Sequence, residues 1–164
     1  MNSDFSISVD DQAIATITWD CEKKSMNVLS FEALETLEKF IDQVINDDQI
    51  IAGIITSGKR DFAAGMDLNV LAQLKQSAGE NPAEGVFNGV MKMHSVLRKI
   101  ELAGMDPKTK KGGKPIVSVL PGTALGIGLE IPLSTHRVFS ANNSKAKIGL
   151  PEILVGLFPG AGGT

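Results

Sequence analysis

Hydrophobic and polar residues alternate near the start of the chain, which is the pattern of strands with one buried face. Phe5–Val9 and Ala13–Trp19 both show it, and the short polar stretch between them is suited to a turn. The sequence therefore predicts an opening β-hairpin. Its second strand would present one apolar face made of Ala13, Ala15, Ile17 and Trp19.

A helical period replaces the alternation after Ser30, a residue type that caps helix N-termini. Apolar residues then recur every three or four positions, as on the buried face of a helix: Phe31, Leu34, Leu37, Ile41 and Val44. A longer helix is predicted by a second stripe, formed by Val86, Val90, Met93, Leu97 and Ile100. Shorter helices are predicted over Leu68–Gln76 and Gly126–Thr135.

Continuous apolar runs separate the predicted helices. Ile50–Thr56 and Ile116–Leu120 have the character of strands buried on both faces, as in a parallel sheet, and Val138–Ala141 is predicted as a further strand. Strands that alternate with helices indicate an α/β fold. The lysine-rich stretch Gly104–Lys114 is predicted as a solvated loop tip, with attraction of a phosphate-bearing substrate as the alternative.

Composition narrows the possible functions. The chain has 164 residues, the usual size of one domain. Its formal net charge of −3 is too balanced for affinity based on neutralising many phosphates, so no nucleic-acid partner is expected. The single cysteine and the two histidines provide no set of ligands for a zinc cluster, so we expect a mechanism without a metal.

Targeting signals are missing from the N-terminal stretch, which has neither the basic nor the apolar region of a signal peptide. The uncharged stretch Pro115–Leu129 is short for a membrane span and is interrupted by proline and glycine. We therefore expect a cytoplasmic protein without a membrane span. The glycine-rich end Phe158–Thr164 lacks a closing helix or strand, which predicts a fragment of a longer polypeptide.

Candidate chemistry lies in two glycine-containing turns, Asp61–Leu68 and Gly122–Glu130, each between a predicted strand and a helix start. Backbone N–H groups at such positions lack partners, and two of them aimed at one oxygen would form an oxyanion hole. Glu130 is the one charge in a long apolar window, and Glu152 lies in a second apolar setting. Buried carboxyl groups are suited to proton transfer, so acid/base chemistry on a carbonyl compound is predicted. The histidines His94 and His136 are predicted to be packed or solvated rather than catalytic.

Three motifs taken together resemble the enoyl-CoA hydratase/isomerase, or crotonase, family. They are Phe62–Leu68, Ala124–Glu130, and Ile148–Gly156 with Pro159–Thr164. The opening Ile17–Trp19 with Ser25–Leu29 is similar to the hydratase part of multifunctional fatty-acid-oxidation proteins. The resemblance implies a crotonase-like α/β fold, a superhelix of ββα repeats that is incomplete at the C-terminus. Residues 1–164 would be the N-terminal portion of one such domain, without the family's C-terminal helices.

The resemblance also implies an activity, the addition of water to trans-2-enoyl-CoA in fatty acid β-oxidation. The backbone N–H groups of Met66 and Ile127 would bind the thioester oxygen, and Glu130 and Glu152 would activate and position water. Coenzyme A is part of this substrate, and its contacts would be Ala64, Gly65, Met66, Asp67 and Gly126. Ile127 stands where the family usually has glycine, and the interval between the glutamates is longer than the commonest one.

The same resemblance has implications for the substrate, the cofactors and the partner proteins. The substrate would be an acyl-CoA thioester, no separate cofactor is implied, and NAD would be needed only if a 3-hydroxyacyl-CoA dehydrogenase domain follows. A full-length protein could form a homo-oligomer or associate with a thiolase subunit. Two alternatives remain open, namely a fragment that binds CoA thioesters or assists assembly without turnover, and a 3,2-enoyl-CoA isomerase.

Overall fold

The structure, a computed structural model, describes residues 3–67, 69–70 and 81–163. These residues form β1 Phe5–Val9, β2 Ile14–Trp19, α1 Phe31–Asn46, β3 Ala52–Ser57, α2 Pro82–Leu102, β4 Ile116–Leu120, β5 Ala124–Leu125, α3 Ile127–Leu133, β6 Arg137–Ser140, β7 Ile148–Gly149 and a 3₁₀ turn at Glu152–Val155. The predicted helix Leu68–Gln76 lies outside the described residues, apart from Asn69 and Val70, which are helical.

Five strands form the main sheet, in the order β1-β2-β3-β4-β6. β1 is antiparallel to β2, and each later pair is parallel. The carboxyl ends of the parallel strands therefore meet at one edge, which is where ligands bind in α/β folds. The α/β prediction and the opening hairpin are confirmed, but Ala13 belongs to the turn of the hairpin, with φ at 63°.

A smaller second layer of extended backbone lies beside the main sheet. β5 pairs with β7 in parallel, and isolated parallel bridges join Ala63 to Ala124 and Leu29 to Met66. Each of the main-sheet strands β2, β3, β4 and β6 is thus followed by a short extended stretch in the second layer. This succession is the ββα repeat that the resemblance implied.

The core lies between the main sheet and helices α1 and α2. The Ser30 hydroxyl caps α1 by accepting the Ala33 N–H at 3.1 Å, as the sequence predicted. The buried face of α1 consists of Ala33, Leu34, Leu37, Ile41 and Val44. Trp19 stacks on Phe5 at 5.0 Å between ring centroids and meets Phe62 edge-on at 5.9 Å. Burial of each large apolar side chain stabilises the fold by about 1.5–3 kcal/mol.

Burial of β3 on both faces was a wrong prediction. Its residues alternate between buried and partly exposed, and the neighbouring Ile51 is 60% exposed. The same prediction was wrong for β4, where Val119 is 38% exposed. β6 is exposed along its whole length at the edge of the sheet. The described helices cover one face of β3, on which Gly53 and Ile55 are buried, whereas both faces of the edge strand β6 are exposed. None of these helices has both the length and the apolar character needed to cross a membrane.

Candidate active site

The two turns that the sequence singled out lie side by side at the carboxyl edge of the main sheet. The first turn (residues 58–67) follows β3 and the second turn (residues 121–126) follows β4. Phe62 N and Ala63 N donate to the Thr123 carbonyl at 2.8 and 3.1 Å, and Leu125 N donates to the Ala63 carbonyl at 3.0 Å. In return, Asp61 Oδ1 accepts the Thr123 N–H at 2.7 Å. These bonds fix the two turns relative to each other.

Two backbone donors lie close to these turns, Met66 N–H on the first turn and Ile127 N–H directly after the second turn. Within the described part of the chain, neither Met66 N–H nor Ile127 N–H has a hydrogen-bond acceptor. Ile127 is the first residue of α3, where an N–H has no partner within the helix. The backbones approach closely here, because a Cβ added to Gly126 would lie 3.7 Å from the Cα of Gly65. The arrangement can present two N–H groups to one ligand oxygen.

Glu130 projects from α3 and is only 3% exposed, as its apolar sequence context predicted. Its Oε1 accepts two backbone N–H groups, from Ala161 and Gly163, each at 2.9 Å. The two bonds hold the carboxylate in one place and in one orientation.

Glu152 begins the 3₁₀ turn and approaches the same place from the other side. Its Oε1 would lie 2.7 Å from a Cβ on Gly126. Its Oε2 is buried and has no hydrogen-bond partner within the described ranges. A buried polar atom without a partner is costly, so this oxygen is suited to bind a water or a ligand group.

The two backbone donors and the two glutamates line one cavity of about 450 Å³. The predicted site residues that line it are Ala64, Gly65, Met66, Gly126, Ile127, Glu130 and Glu152. The remaining wall is mainly apolar, with Val86, Val90, Met93, Leu154, Leu157 and Phe158. Val86 and Val90, which the helical stripe assigned to the buried face of α2, therefore line the cavity. The cavity can hold an apolar chain with a polar group at one end.

Asp67 is the one predicted site residue that does not line this cavity. Its carboxylate forms an ion pair with Lys24 and accepts the Asn69 N–H at 3.0 Å. The hydrogen bond from Lys24 is the main reason that the pKa of Asp67 lies below its usual value. Asp67 therefore ties the first turn to the loop after β2.

Asn27 is a positioning residue that the sequence analysis missed. It is fully buried, and its Nδ2 lies within 3.0 Å of Trp19 O, Ser57 Oγ and Phe62 O. Its Oδ1 accepts the Cys21 N–H at 2.9 Å. The side chain thus joins the first turn to the ends of β2 and β3. A polar residue within the otherwise apolar stretch 26–29 was the available signal.

The lysine-rich tip lies at the opposite edge of the sheet. It precedes the amino end of β4, and Lys114 Nζ donates to the Asp47 carbonyl, which lies between α1 and β3, at 2.7 Å. This placement supports the solvated tip rather than attraction of a substrate phosphate. Neither histidine lines the cavity of about 450 Å³.

Asp61 links stability to pH through its bond to the second turn. The Thr123 N–H holds the pKa of Asp61 below its ordinary value. The stabilisation is therefore complete above the unfolded-state pKa, about 4, and is lost as the pH falls through that value towards the lower folded-state pKa. We expect Asp61→Asn to lower the free energy of unfolding by about 1 kcal/mol at pH 7 and by less at pH 3. Urea unfolding at both pH values measures this difference.

A matched control for this prediction is Asp106→Asn. Backbone N–H groups of Thr109 and Lys108 lower the pKa of Asp106 in the same way, but at the lysine-rich tip. Both variants should flatten the acid side of the stability profile, and only Asp61→Asn should also disturb the turns at the cavity. An Asp61→Asn protein as stable as the wild type at pH 7 would contradict a stabilising role for the charged Asp61 carboxylate.

Comparison with known proteins places this chain in a family. The crystal structure of enoyl-CoA hydratase from Bacillus anthracis has the same crotonase-like fold, with a TM-score of 0.78 and 26% identity over 98% of this chain and 55% of that one. A family model described as Enoyl-CoA hydratase/isomerase matches residues 14–164. The chain belongs to the enoyl-CoA hydratase/isomerase family.

Among curated proteins, the chain is similar to the fatty acid oxidation complex subunit alpha of two bacteria. The Idiomarina loihiensis protein is 32% identical over 161 residues, and the Shewanella oneidensis protein is 30% identical over 165 residues. These matches cover 98% and 100% of this chain. The chain spans about one fifth, 21%, of the length of each of these relatives.

Proposed function

We propose that the chain contains the hydration site of an enoyl-CoA hydratase, which adds water across the C2=C3 bond of a trans-2-enoyl-CoA to give a 3-hydroxyacyl-CoA. One observation supports this most strongly. Two backbone N–H groups that have no acceptor among the described residues line a single, largely apolar cavity together with two carboxyl groups. Such a cavity combines stabilisation of a thioester oxygen with acid/base groups and space for an acyl chain.

The donors would act on the charge that develops during the reaction. When water attacks C3, the π electrons move towards the thioester oxygen, and Met66 N–H and Ile127 N–H would bind that oxygen as it becomes an enolate. Each such donor stabilises a transition state by about 2.7–4 kcal/mol in well-studied enzymes. Apolar surroundings strengthen such hydrogen bonds, because the local dielectric constant is lower than that of water.

The glutamates would handle the protons. One carboxylate accepts a proton from the water as the water oxygen bonds to C3, and the carboxylic acid so formed delivers a proton to C2 as the enolate collapses. Glu130 is fixed by its two amide donors, which suits it to position the water. Glu152 has a buried oxygen without a partner in the described part of the chain, which suits it to exchange a proton there.

The coenzyme A portion would run along the first turn. Ala64, Gly65 and Met66 would provide its backbone contacts, and Gly126 would allow the close approach of the thioester. The ion pair with Lys24 leaves Asp67 a supporting role in this proposal.

A second candidate function is isomerisation of 3-enoyl-CoA to 2-enoyl-CoA, which needs a single carboxylate to move a proton. One observation favours it. Glu130 Oε1 is already occupied by Ala161 and Gly163, whereas Glu152 has an unpartnered oxygen among the described atoms. A third outcome, binding of a CoA thioester without turnover, would correspond to a site that positions substrate but lacks acid/base function.

The experiment compares two substrates on the protein as its gene encodes it. We expect crotonyl-CoA to lose its enoyl-thioester absorbance and to yield 3-hydroxybutyryl-CoA. Conversion of a 3-enoyl-CoA alone would support the isomerase and contradict the hydratase. Calorimetric binding of crotonyl-CoA with no product by either assay would contradict both enzymes.

Association with other chains is part of the proposal. The relatives are subunits of fatty acid oxidation complexes, so we propose a multifunctional polypeptide that includes an NAD-dependent dehydrogenase and binds a thiolase subunit or further copies of itself. Leu154 and Phe158 at the cavity mouth are 83% and 77% exposed, which supports contact with another protein surface.

A further inference from the structure

Glu130 is held by a segment of chain that has few polar attachments. This glycine segment (residues 158–163) follows the 3₁₀ turn. Within the described residues, three hydrogen bonds join it to the rest of the protein. Two are the bonds from Ala161 N and Gly163 N to Glu130, and the third joins His94 Nε2 to the Gly160 carbonyl at 2.6 Å. His94 is therefore the polar anchor that does not depend on Glu130 itself.

His94 reaches this segment from α2. It lines a second cavity, of about 380 Å³, which shares Glu130 and Ala161 with the first cavity. One helical turn further, Leu97 lies against the same segment, with its Cδ1 3.6 Å from the position of a Cβ on Gly162. Residues three apart share a helix face, so α2 contacts the glycine segment through one polar and one apolar side chain.

The chemistry of the contact sets the direction of the hydrogen bond. A carbonyl oxygen only accepts, so His94 Nε2 must bear the hydrogen and donate it to Gly160 O. Without the hydrogen bond from His94, the segment would keep its apolar packing and its two hydrogen bonds to Glu130. Those two bonds do not fix the segment independently, because Glu130 is the group that the segment has to orient. Ala161 N and Gly163 N would then sample a wider range of positions around Glu130.

We propose that His94 is a positioning residue for Glu130 in enoyl-CoA hydration, acting through the glycine segment. His94 fixes the Gly160 carbonyl, which places the N–H groups of Ala161 and Gly163 on Glu130 Oε1. These two N–H groups then set the orientation of the Glu130 carboxylate towards the attacking water. This role rests on the proposed function, whereas the mechanical link between His94 and the segment does not.

The kinetic test uses three variants in the protein as its gene encodes it. His94→Ala should lower kcat for crotonyl-CoA hydration roughly fivefold to tenfold, because one hydrogen bond is lost, and should leave KM nearly unchanged. His94→Gln provides an N–H donor at similar reach and should recover kcat to within about twofold of the wild type. Arg98→Gln, in the same cavity wall, is the control and should match the wild type. A His94→Gln variant as slow as His94→Ala would overturn the proposal.

A second measurement separates this proposal from the proposed function. Amide hydrogen exchange of Ala161 and Gly163 should be roughly tenfold faster in His94→Ala than in the wild type and should return to the wild-type rate in His94→Gln. Unchanged exchange in His94→Ala would refute the link, whatever the activity. Should the wild type hydrate no enoyl-CoA while exchange responds as expected, the proposed function fails and the link between His94 and the glycine segment is retained.

Discussion

Replacing Glu152 with Gln should lower kcat for crotonyl-CoA hydration by about 10²–10⁴-fold, the range expected when a general acid or base is removed. The amide has nearly the same shape as the carboxyl group, so the cavity should remain intact. It cannot take up or release the proton that the reaction needs. Steady-state rates of hydration, with KM determined separately, measure the effect.

Glu130→Gln should have an effect of similar size for a related reason. The amide oxygen of Gln can still accept from Ala161 and Gly163, so the segment should stay in place while the negative charge is lost. Glu32→Gln makes the same chemical change at an exposed glutamate in the first turn of α1 and should leave the rate unchanged. Wild-type rates in both the Glu130 and the Glu152 variants would exclude carboxylate catalysis.

The second large effect is expected from Gly126→Ala. Gly126 has φ 56° and ψ −133°, a conformation that disfavours a side chain by about 1–3 kcal/mol. The new Cβ would also lie 2.7 Å from Glu152 Oε1, closer than real contacts allow. The Glu152 carboxyl group must therefore move, and a shift of about 1 Å at a reacting group can cost about 10²-fold in rate. We expect kcat to fall by at least about 10²-fold.

Gly156→Ala is the matched control for this substitution. Gly156 also has a positive φ, 74°, but no atom lies within 4 Å of its added Cβ. Both variants should lose stability in urea unfolding, by about 1–2 kcal/mol for Gly156→Ala. Only Gly126→Ala should also lose hydration activity, and by more than its loss of stability can explain. Equal loss of activity in the two variants would show that backbone strain, rather than displacement of Glu152, is responsible.

Sequence patterns predicted those elements whose determinants are local. The Ser30 cap and the apolar stripe of α1 act within a few residues of chain, so the helix begins where the sequence places it. The turns after β3 and β4 were also predictable, because glycine-containing stretches follow apolar runs there. Their meeting followed from parallel strand pairing, which places the carboxyl ends of neighbouring strands at one edge.

The features that sequence reasoning missed depend on contacts between distant segments. Ile51 is apolar yet exposed, because burial of its face of the sheet depends on elements far along the chain. Asn27 gains its role from oxygens on β2, on β3 and in the first turn, none of which its own neighbours reveal. The hydrogen bond between His94 and the Gly160 carbonyl could not be predicted, because the two residues are 66 positions apart in the chain.

The donors of the proposed oxyanion hole belong to the main chain, and this has a consequence for how such a site can change during evolution. Substitution at position 66 or 127 alters a side chain but removes no N–H, unless proline is introduced. Isoleucine can therefore occupy position 127 with the donor retained. Selection would act on the bend of the backbone, through residues such as Gly126, and would leave the side chains at the donor positions free to reshape the acyl pocket for different substrates.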